Sequence, residues 1–277
     1  MRMLLKDGKS KVLTLSYDDG PVQDIRLIQI FDRYGIKATF NLNSGCYLPE
    51  DVSRQKFDGR MKASEAMALY QNSPHEVAAH GFHHGSMSAM RSDELLLDLL
   101  EDRKCLERQF GLPIRGMAYP YGSRAYNETV REAVKLCGFC YARSTKKEDN
   151  FAFPRDWLVW NPTCHHNNPD LMELAEKFVS ERPTPIGKNW LFFVWGHSYE
   201  FDRNDNWDVI ERFSQKVGQK EDIWYATNLE IYDYVKAYEA LQTDVEQTMV
   251  YNPSVMNVWF TKNQKVYCVK GGETLHL

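Results

Sequence analysis

The six residues Trp190-Leu191-Phe192-Phe193-Val194-Trp195 form an unbroken apolar run of strand length. A strand with one face in water alternates apolar and polar residues. A run that is apolar on both faces suits a parallel strand covered by helices on each side. Parallel strands need long crossover connections, and the rest of the chain supplies helical ones in alternation. Val12 to Tyr17 reads as a strand. Ile25 to Tyr34 reads as a helix with Leu27, Ile28, Phe31 and Tyr34 on one face, stopped by Gly35. Ile36 to Leu42 is the next strand, Ser64 to Gln71 a short helix and Glu76 to Ala79 a short strand. Ser92 opens a helix with Asp93 and Glu94 in its first turn, where negative charge suits the dipole; Leu95, Leu96, Leu99, Leu106 and Phe110 line its buried face. Gly116 to Tyr119, Tyr141 to Arg143 and Ile223 to Ala226 read as strands. Glu128 to Leu136, Asp170 to Val179, Trp207 to Val217 and Leu229 to Leu241 read as helices.

About seven β/α units in roughly 240 residues predict an α/β barrel, in which chemistry sits at the C-terminal ends of the strands. The chemically capable residues fall there: Asp18 and Asp19 after the first strand, then His80, Tyr121 and His197 after later ones. Beyond the barrel, expected over 1–243, the texture changes. Val258-Trp259-Phe260, Lys265 to Val269 and Thr274 to Leu277 alternate like short antiparallel strands, with turns at Asn263 and Gly271-Gly272. A small C-terminal β appendage is expected over 244–277, packed on the barrel.

Composition excludes several classes. The 277 residues carry a net charge of −4 and show no basic stripe, so nucleic acid is not an expected partner. No apolar run of ~18 residues is present, so no membrane span is expected. The opening Met1-Arg2-Met3-Leu4-Leu5-Lys6-Asp7-Gly8 is too short and polar for a secretory signal, which predicts a cytoplasmic protein. Cysteines 46, 105, 137, 140, 164 and 268 show no framework spacing. Cys137-Gly138-Phe139-Cys140 reads as a helix end, a break and a strand start.

The functional signal lies in two short segments. The first strand stops at Asp18-Asp19-Gly20-Pro21, a sharp turn that can aim both carboxylates inward. His80-Gly81-Phe82-His83-His84 places two imidazoles four residues apart, which on one helical turn face the same way. With Asp19 they form a three-ligand His-His-Asp set that leaves room for water. Such a mix of nitrogen and oxygen suits a divalent metal, Zn²⁺ first, with Co²⁺, Ni²⁺, Mn²⁺ or Fe²⁺ also admissible. Asp18 beside it can accept a proton from water, and His83 points elsewhere.

At these residues the sequence resembles the polysaccharide deacetylases, carbohydrate esterase family 4. Their T-F-D-D-G-P motif appears as Leu15-Ser16-Tyr17-Asp18-Asp19-Gly20-Pro21, and their H-[ST]-x-x-H motif as His80-Gly81-Phe82-His83-His84. R-x-P-[YF] appears as Ala118-Tyr119-Pro120-Tyr121, D-W as Asp156-Trp157, and L-x-H as Trp195-Gly196-His197. The resemblance implies a distorted (β/α)7 barrel and hydrolysis of an N-acetyl or similar acyl group. It implies Asp18 as general base and Asp19, His80 and His84 as metal ligands. It implies the Tyr121 backbone N–H as an oxyanion donor, and His197 as general acid oriented by Asp156. Trp157 would form an apolar wall, and Trp195 would narrow an acyl pocket. The chain departs from the pattern at three places. Ala118 replaces the arginine that holds the base, so either Arg115 or Arg124 substitutes from elsewhere or the base is held differently. Gly81 removes a hydroxyl that braces the metal loop, and Trp195 replaces a leucine.

Two further segments are open. Glu200 and Asp202, after His197, could reach substrate, though solvated surface residues are the simpler reading. In Trp160 to Asn167, Asn161, His165 and His166 lie in a loop between units; adjacent histidines point apart, which leaves one as a cleft residue. The leading expectation is a metal-dependent de-N-acetylase acting on an acetylamino sugar or oligosaccharide. An allantoinase-like amidase, with Arg124 receiving a carboxylate, and a carbohydrate-binding relative without turnover are the alternatives. Oligomeric state is not readable.

Overall fold

The computed structural model describes residues 1–54, 59–184 and 189–277. A first strand, β1 (Arg2–Met3), joins the C-terminal appendage. The barrel then runs β2 (Lys11–Asp18), α1 (Asp24–Arg33), β3 (Ala38–Leu42), α2 (Ala63–Tyr70), β4 (Glu76–Ala79), α3 (Ser92–Phe110), β5 (Gly116–Ala118), α4 (Glu128–Leu136) and β6 (Tyr141–Arg143). It continues with β7 (Cys164–His165), α5 (Leu171–Ser180), β8 (Trp190–Gly196), α6 (Tyr199–Arg203), α7 (Trp207–Val217), β9 (Ile223–Tyr225) and α8 (Asn228–Glu239). The sheet order is β6-β5-β4-β3-β2-β8-β7, with β9 pairing β2 as well, and the pairings are parallel. This is the curled sheet of a distorted (β/α)7 barrel.

Strand β2 is the axis of the sheet. Every residue from Lys11 to Asp18 is buried, because β8 pairs it along Lys11 to Tyr17 while β9 and then β3 share the other edge. The apolar run at Trp190 is therefore covered on both faces, as its composition requires. β7 lies in what reads as a loop, since two residues are too few to carry a periodic signal. It is nonetheless the closing piece. The Trp160 N–H donates to the Ala142 carbonyl and Ser144 N–H to the Trp160 carbonyl, each at 2.9 Å, while Thr163 N–H reaches the Phe193 carbonyl at 2.8 Å. One extended segment thus bridges both edges of the open sheet.

The lumen is filled from below by α8. Thr227 caps it, its hydroxyl accepting the Glu230 N–H at 3.2 Å while the Glu230 carboxylate accepts the Thr227 N–H at 2.9 Å. Ile231 and Tyr234 then pack among Val12, Tyr141, Leu191, Phe193 and Trp224. Each such fully buried side chain contributes ~1.5–3 kcal/mol.

The appendage comprises two small antiparallel sheets, β10 (Gln242–Thr243) with β11 (Met249–Tyr251) and β14 (Thr274–His276), and β1 with β12 (Val258–Lys262) and β13 (Lys265–Val269). Asn263 (φ 49°) and Gln264 (φ 64°) form the two-residue hairpin turn between β12 and β13. The appendage therefore recruits the first residues of the chain as well as its last. Tyr234 ties it to α8, donating to the Leu4 carbonyl at 2.8 Å and accepting the Trp259 N–H at 3.0 Å. The six cysteines are free, and Gly138 (φ 80°) breaks the chain after Cys137. Among the described residues no helix is long and apolar enough to cross a membrane.

Candidate metal centre

The C-terminal ends of β2, β4, β6 and β8 converge on Asp18, Asp19, His80, His84, Arg143 and His197. Asp19, His80 and His84 offer donor atoms that all lie within 4.8 Å of one another. Asp19 Oδ1 is 3.3 Å from His84 Nε2 and 3.9 Å from His80 Nε2, separations of the order that metal–ligand bonds of ~2.0–2.2 Å bridge. The His80 Nδ1–H donates to the Ala118 carbonyl at 2.8 Å, which leaves the Nε2 lone pair free toward Asp19. Burial, opposed by Asp18 and Asp19, brings the His80 pKa down to about 4, so the ring is neutral at physiological pH. A neutral imidazole with its second nitrogen fixed by a carbonyl is the state a metal needs. The donor set therefore fits a divalent cation.

The histidines do not converge through a helical turn. Residues 80–86 form a loop in which Gly81 (φ 77°) and His84 (φ 53°) are left-handed. Glycine suits position 81 because its φ is positive and because a Cβ there would lie 3.0 Å from both Asp98 Oδ2 and Met87 Cε. The bracing hydroxyl absent at that position is replaced by two buried carboxylates one turn apart on α3. Asp98 accepts the backbone N–H of Phe82 and of His83 at 3.0 Å each, and Asp102 accepts that of His80 at 3.0 Å and of Ser44 at 2.8 Å. Asp98 also accepts from the His83 ring at 2.9 Å, which turns that side chain away from the centre. Asp19 (φ 80°) and Tyr121 (φ 58°) are left-handed too. Three non-glycine residues strained at ~1–3 kcal/mol each around one centre mark it as over-determined by its surroundings.

Asp18 is buried and held by Asn41 Nδ2, which donates to its Oδ1 at 2.8 Å, and by Arg143, whose Nη2 donates to its Oδ2. Burial pushes the Asp18 carboxyl up, but Arg143, His80 and His197 outweigh it and hold the pKa below the usual carboxylate range. The arginine that replaces the one missing at Ala118 is thus Arg143, and not Arg115 or Arg124. Arg115 pairs with Asp233 at 2.8 Å through both terminal guanidinium nitrogens, and Arg124 is exposed on the turn after Tyr121. The physical reason is register. Ala118 on β5 pairs with Arg143 on β6, and Gly116 with Tyr141. Parallel partners face the same side of the sheet. The small residues of β5 leave room for the large ones of β6, so the guanidinium enters the same space from the neighbouring strand.

Arg60 is a further residue that spacing does not reveal. It donates to Asp19 Oδ1 at 3.0 Å, to the Asp19 carbonyl at 2.5 Å and to Asn43 Oδ1 at 2.7 Å. The Asn43 amide in turn donates to the His80 and Gly81 carbonyls at 2.5 and 2.7 Å. Arg60 and Asn43 therefore lock the two ligand-bearing loops together. A cleft of about 490 Å³ opens beside Asp19, lined by Pro21, Gln23, Arg60, Tyr199, Asp202 and Arg203 among others.

His197 Nε2 lies 3.9 Å from Asp18 Oδ2 and 4.0 Å from Asp19 Oδ2. Its Nδ1 is 3.1 Å from Glu200 Oε1. Burial works against a proton on this ring, but the Glu200 contact and the Asp18 and Asp19 charges raise its pKa above the ordinary imidazole value. The expected partner, Asp156, is elsewhere: it caps the turn Trp157–Val159, accepting the Leu158 N–H at 2.9 Å, and pairs with Arg131 at 2.5 Å. Glu200 is accordingly a partly buried anchor, its side chain 20% exposed, instead of a solvated surface group, and both His165 and His166 turn toward it. Trp195 lies in the centre, with the Arg143 guanidinium 4.7 Å from its ring centroid and His165 at 4.6 Å. Trp157 packs edge-on against Trp160 and Tyr232, at 4.9 and 5.1 Å, as part of the barrel packing. Tyr121 is 61% exposed, its ring edge-on to His84 at 4.9 Å. Asn161 donates to Glu148 on the surface at 2.7 Å.

The polysaccharide deacetylase family model matches residues 5–142, from just before β2 into β6. No curated protein matches the chain in sequence. Solved structures share the fold, among them the following three. The Xyl-CE4 domain of a multidomain xylanase from the hindgut metagenome of Trinervitermes trinervoides is similar at a TM-score of 0.56 and 13% identity, over 82% of this chain and 92% of that one. A family 4 carbohydrate esterase from Streptomyces lividans, solved in complex with acetate, gives 0.51 and 15%, over 78% and 91%. A family 4 acetyl xylan esterase from Clostridium thermocellum, solved with a cobalt ion, gives 0.50 and 16%, over 80% and 91%. With the family match spanning the strands that carry Asp18, Asp19, His80 and His84, and the barrel built in the same way, the chain belongs to the polysaccharide deacetylase family.

Proposed function

We propose that this protein is a metal-dependent hydrolase that removes an N-acetyl or similar acyl group from an acetylamino sugar or oligosaccharide. The observation that carries this reading is the placement of an ionised carboxylate, Asp18, and an imidazole of raised pKa, His197, beside the Asp19-His80-His84 donor set. A divalent cation bound there by Asp19, His80 and His84 would supply Lewis acidity and a water of lowered pKa.

Amide hydrolysis needs a proton taken from the attacking water, a stabilised oxyanion and a proton given to the departing nitrogen. Asp18 is the base. Arg143 and Asn41 fix its carboxylate in one orientation, and the lowered pKa keeps it ionised across the neutral range. His197 is the acid, since its raised pKa lets it carry a proton near neutrality. The Tyr121 backbone N–H, held in its left-handed turn beside His84, is the oxyanion donor. Trp195 closes the acyl side of the pocket, and the cleft beside Tyr199 receives the rest of the substrate. Each proton-transfer role is worth ~10² to 10⁴ in rate.

The test is acetate release from N-acetylglucosamine oligomers by protein stripped with a chelator and reloaded with zinc, cobalt, nickel or manganese. The expected result is release that vanishes on stripping and returns with metal. Turnover of ureides in its place would make the protein a non-sugar amidase. Metal and sugar binding with no turnover of either panel would overturn the hydrolase reading.

A further inference from the structure

A second group of metal-capable side chains stands beside the first. His165, His197 and Glu200 also have donor atoms within 4.8 Å of one another. Glu200 Oε1 faces His197 Nδ1 at 3.1 Å. Glu200 Oε2 faces His165 Nε2 at 3.2 Å, His166 Nε2 at 2.9 Å and the Asn167 amide at 3.1 Å. The His165 and His166 contacts are both of ion-pair length but fall outside hydrogen-bond geometry. Three of the eight histidines therefore close on one carboxylate.

Such a group can be a second cation site or a hydrogen-bonded clamp, and the proton positions decide. His165 Nδ1 accepts the Asn167 backbone N–H at 3.1 Å. In the neutral ring the single proton must then sit on Nε2, the nitrogen that faces Glu200. A cation on Nε2 would force the proton onto Nδ1, against another N–H. His80 is the opposite case, with its proton donated to a carbonyl and the inward nitrogen bare. His166 cannot turn away either. It is wholly buried and stacked on Phe201 at 4.2 Å, and its Nδ1 lies 2.0 Å from where a Cβ on Gly196 would be. Glycine at 196 is thus required by this ring.

We propose that Glu200 is the positioning residue of His197: it takes the Nδ1–H of that ring and leaves Nε2 facing Asp18 and Asp19, while His165 and His166 clamp the carboxylate in one rotamer. The placement follows from local geometry. His197 directly follows β8, Glu200 lies three residues on in the first turn of α6, and an i, i+3 pair on such a turn is adjacent. The turn itself is pinned by Ser198 Oγ, which donates to the buried Asp24 at 2.6 Å. Three imidazole contacts outweigh burial and hold the Glu200 carboxyl well below its usual range, so it is an acceptor at neutral pH. The catalytic meaning of this arrangement rests on the hydrolase reading; the geometry does not.

Long-range proton–nitrogen NMR of the metal-free protein reads the tautomers directly. Wild type is expected to carry protons on His197 Nδ1 and His165 Nε2, and the isosteric Glu200→Gln to lose the first. A His197 that keeps its Nδ1 proton in Glu200→Gln, or a His165 protonated on Nδ1, overturns the proposal. Zinc titration is expected to saturate at one equivalent; a second equivalent lost in His165→Ala overturns it too. In turnover, Glu200→Gln is expected to lower kcat ~10²-fold with KM nearly unchanged, Glu200→Asp by less, and Glu200→Gln to add nothing in a His197→Ala background. An undiminished second loss in that background means that Glu200 does not act through His197. Should no substrate be found, the hydrolase reading fails while the NMR and zinc arms still decide this one.

Discussion

The mouth and the floor of the barrel both bury a carboxylate on the central sheet, and they treat it in opposite ways. At the mouth Asp18 is flanked by a guanidinium and two imidazoles, and it stays charged. On the floor Glu76 accepts the Tyr141 hydroxyl at 2.6 Å and the Thr39 hydroxyl and Leu229 N–H at 2.9 Å each, all neutral donors. Burial outweighs these bonds and raises its pKa to about 7. Both are satisfied, so hydrogen bonding alone does not separate a site from a structural anchor. What separates them is whether the surroundings keep the group in a reactive ionisation state and set it beside metal-capable side chains. The mouth does so at the cost of three left-handed residues; the floor uses its carboxylate to hold the N-terminus of α8.

The largest expected effect is at the mouth. Asp18→Asn keeps the shape and removes the base, and kcat is expected to fall ~10² to 10⁴-fold with metal content intact. Equal activity in Asp18→Asn and wild type would show that Asp18 only fills space, as Glu76 does. His80→Ala removes a donor whose position is fixed by the Ala118 carbonyl. It is expected to abolish stoichiometric metal binding, read by elemental analysis after dialysis.

Next comes the guanidinium. Arg143→Ala leaves Asp18 buried without its cation, expected to cost ~3–5 kcal/mol in stability as well as most of the activity. Because Ala118 and Arg143 are register partners, the double variant Ala118→Arg, Arg143→Ala moves the same group one strand over at nearly constant volume. Partial recovery of kcat and of thermal stability over Arg143→Ala is the expected outcome. No recovery would show that the strand of origin matters, and that the two ends of the barrel differ by more than the identity of their donors.

That swap also explains what the sequence could and could not disclose. The helices at 128–136 and 207–217 and the strands at 76–79 and 141–143 carry full periodic or apolar signals and are read to the residue. The Asp19, His80 and His84 set is readable because two short motifs hold it. The route by which His80 and His84 meet is not, since a left-handed Gly81 and His84 leave no periodic trace. The partners of Asp18 and His197 are harder still. Arg143 and Glu200 are visible as a charge ending a buried strand and a charge three residues past a histidine. Assigning them requires knowing that β5 and β6 run in register and that the Trp160–His165 segment folds back over β8. Register is set by packing across the sheet, and no local spacing encodes it.

The smallest effect tests the floor. Glu76→Gln can keep one oxygen toward Thr39 and Leu229 and turn its amide to the Tyr141 hydroxyl, which then accepts. Its titration is gone. In wild type the folded pKa of about 7 lies above the ordinary value of 4.5. The folded state thus binds a proton that the unfolded state releases, and this contribution is complete below the ordinary carboxylate pKa and lost as pH rises through 7. Wild type is expected to lose up to about 3 kcal/mol between pH 5 and pH 8 from this group, and Glu76→Gln to lose none of it. Asp24, also raised to about 7 by burial, adds a loss of the same sign in both proteins. The readout is therefore the difference between two denaturation series across pH. Curves that stay parallel would mean that Glu76 is charged on the floor, and the contrast with Asp18 would then lie in the neighbouring donor set alone.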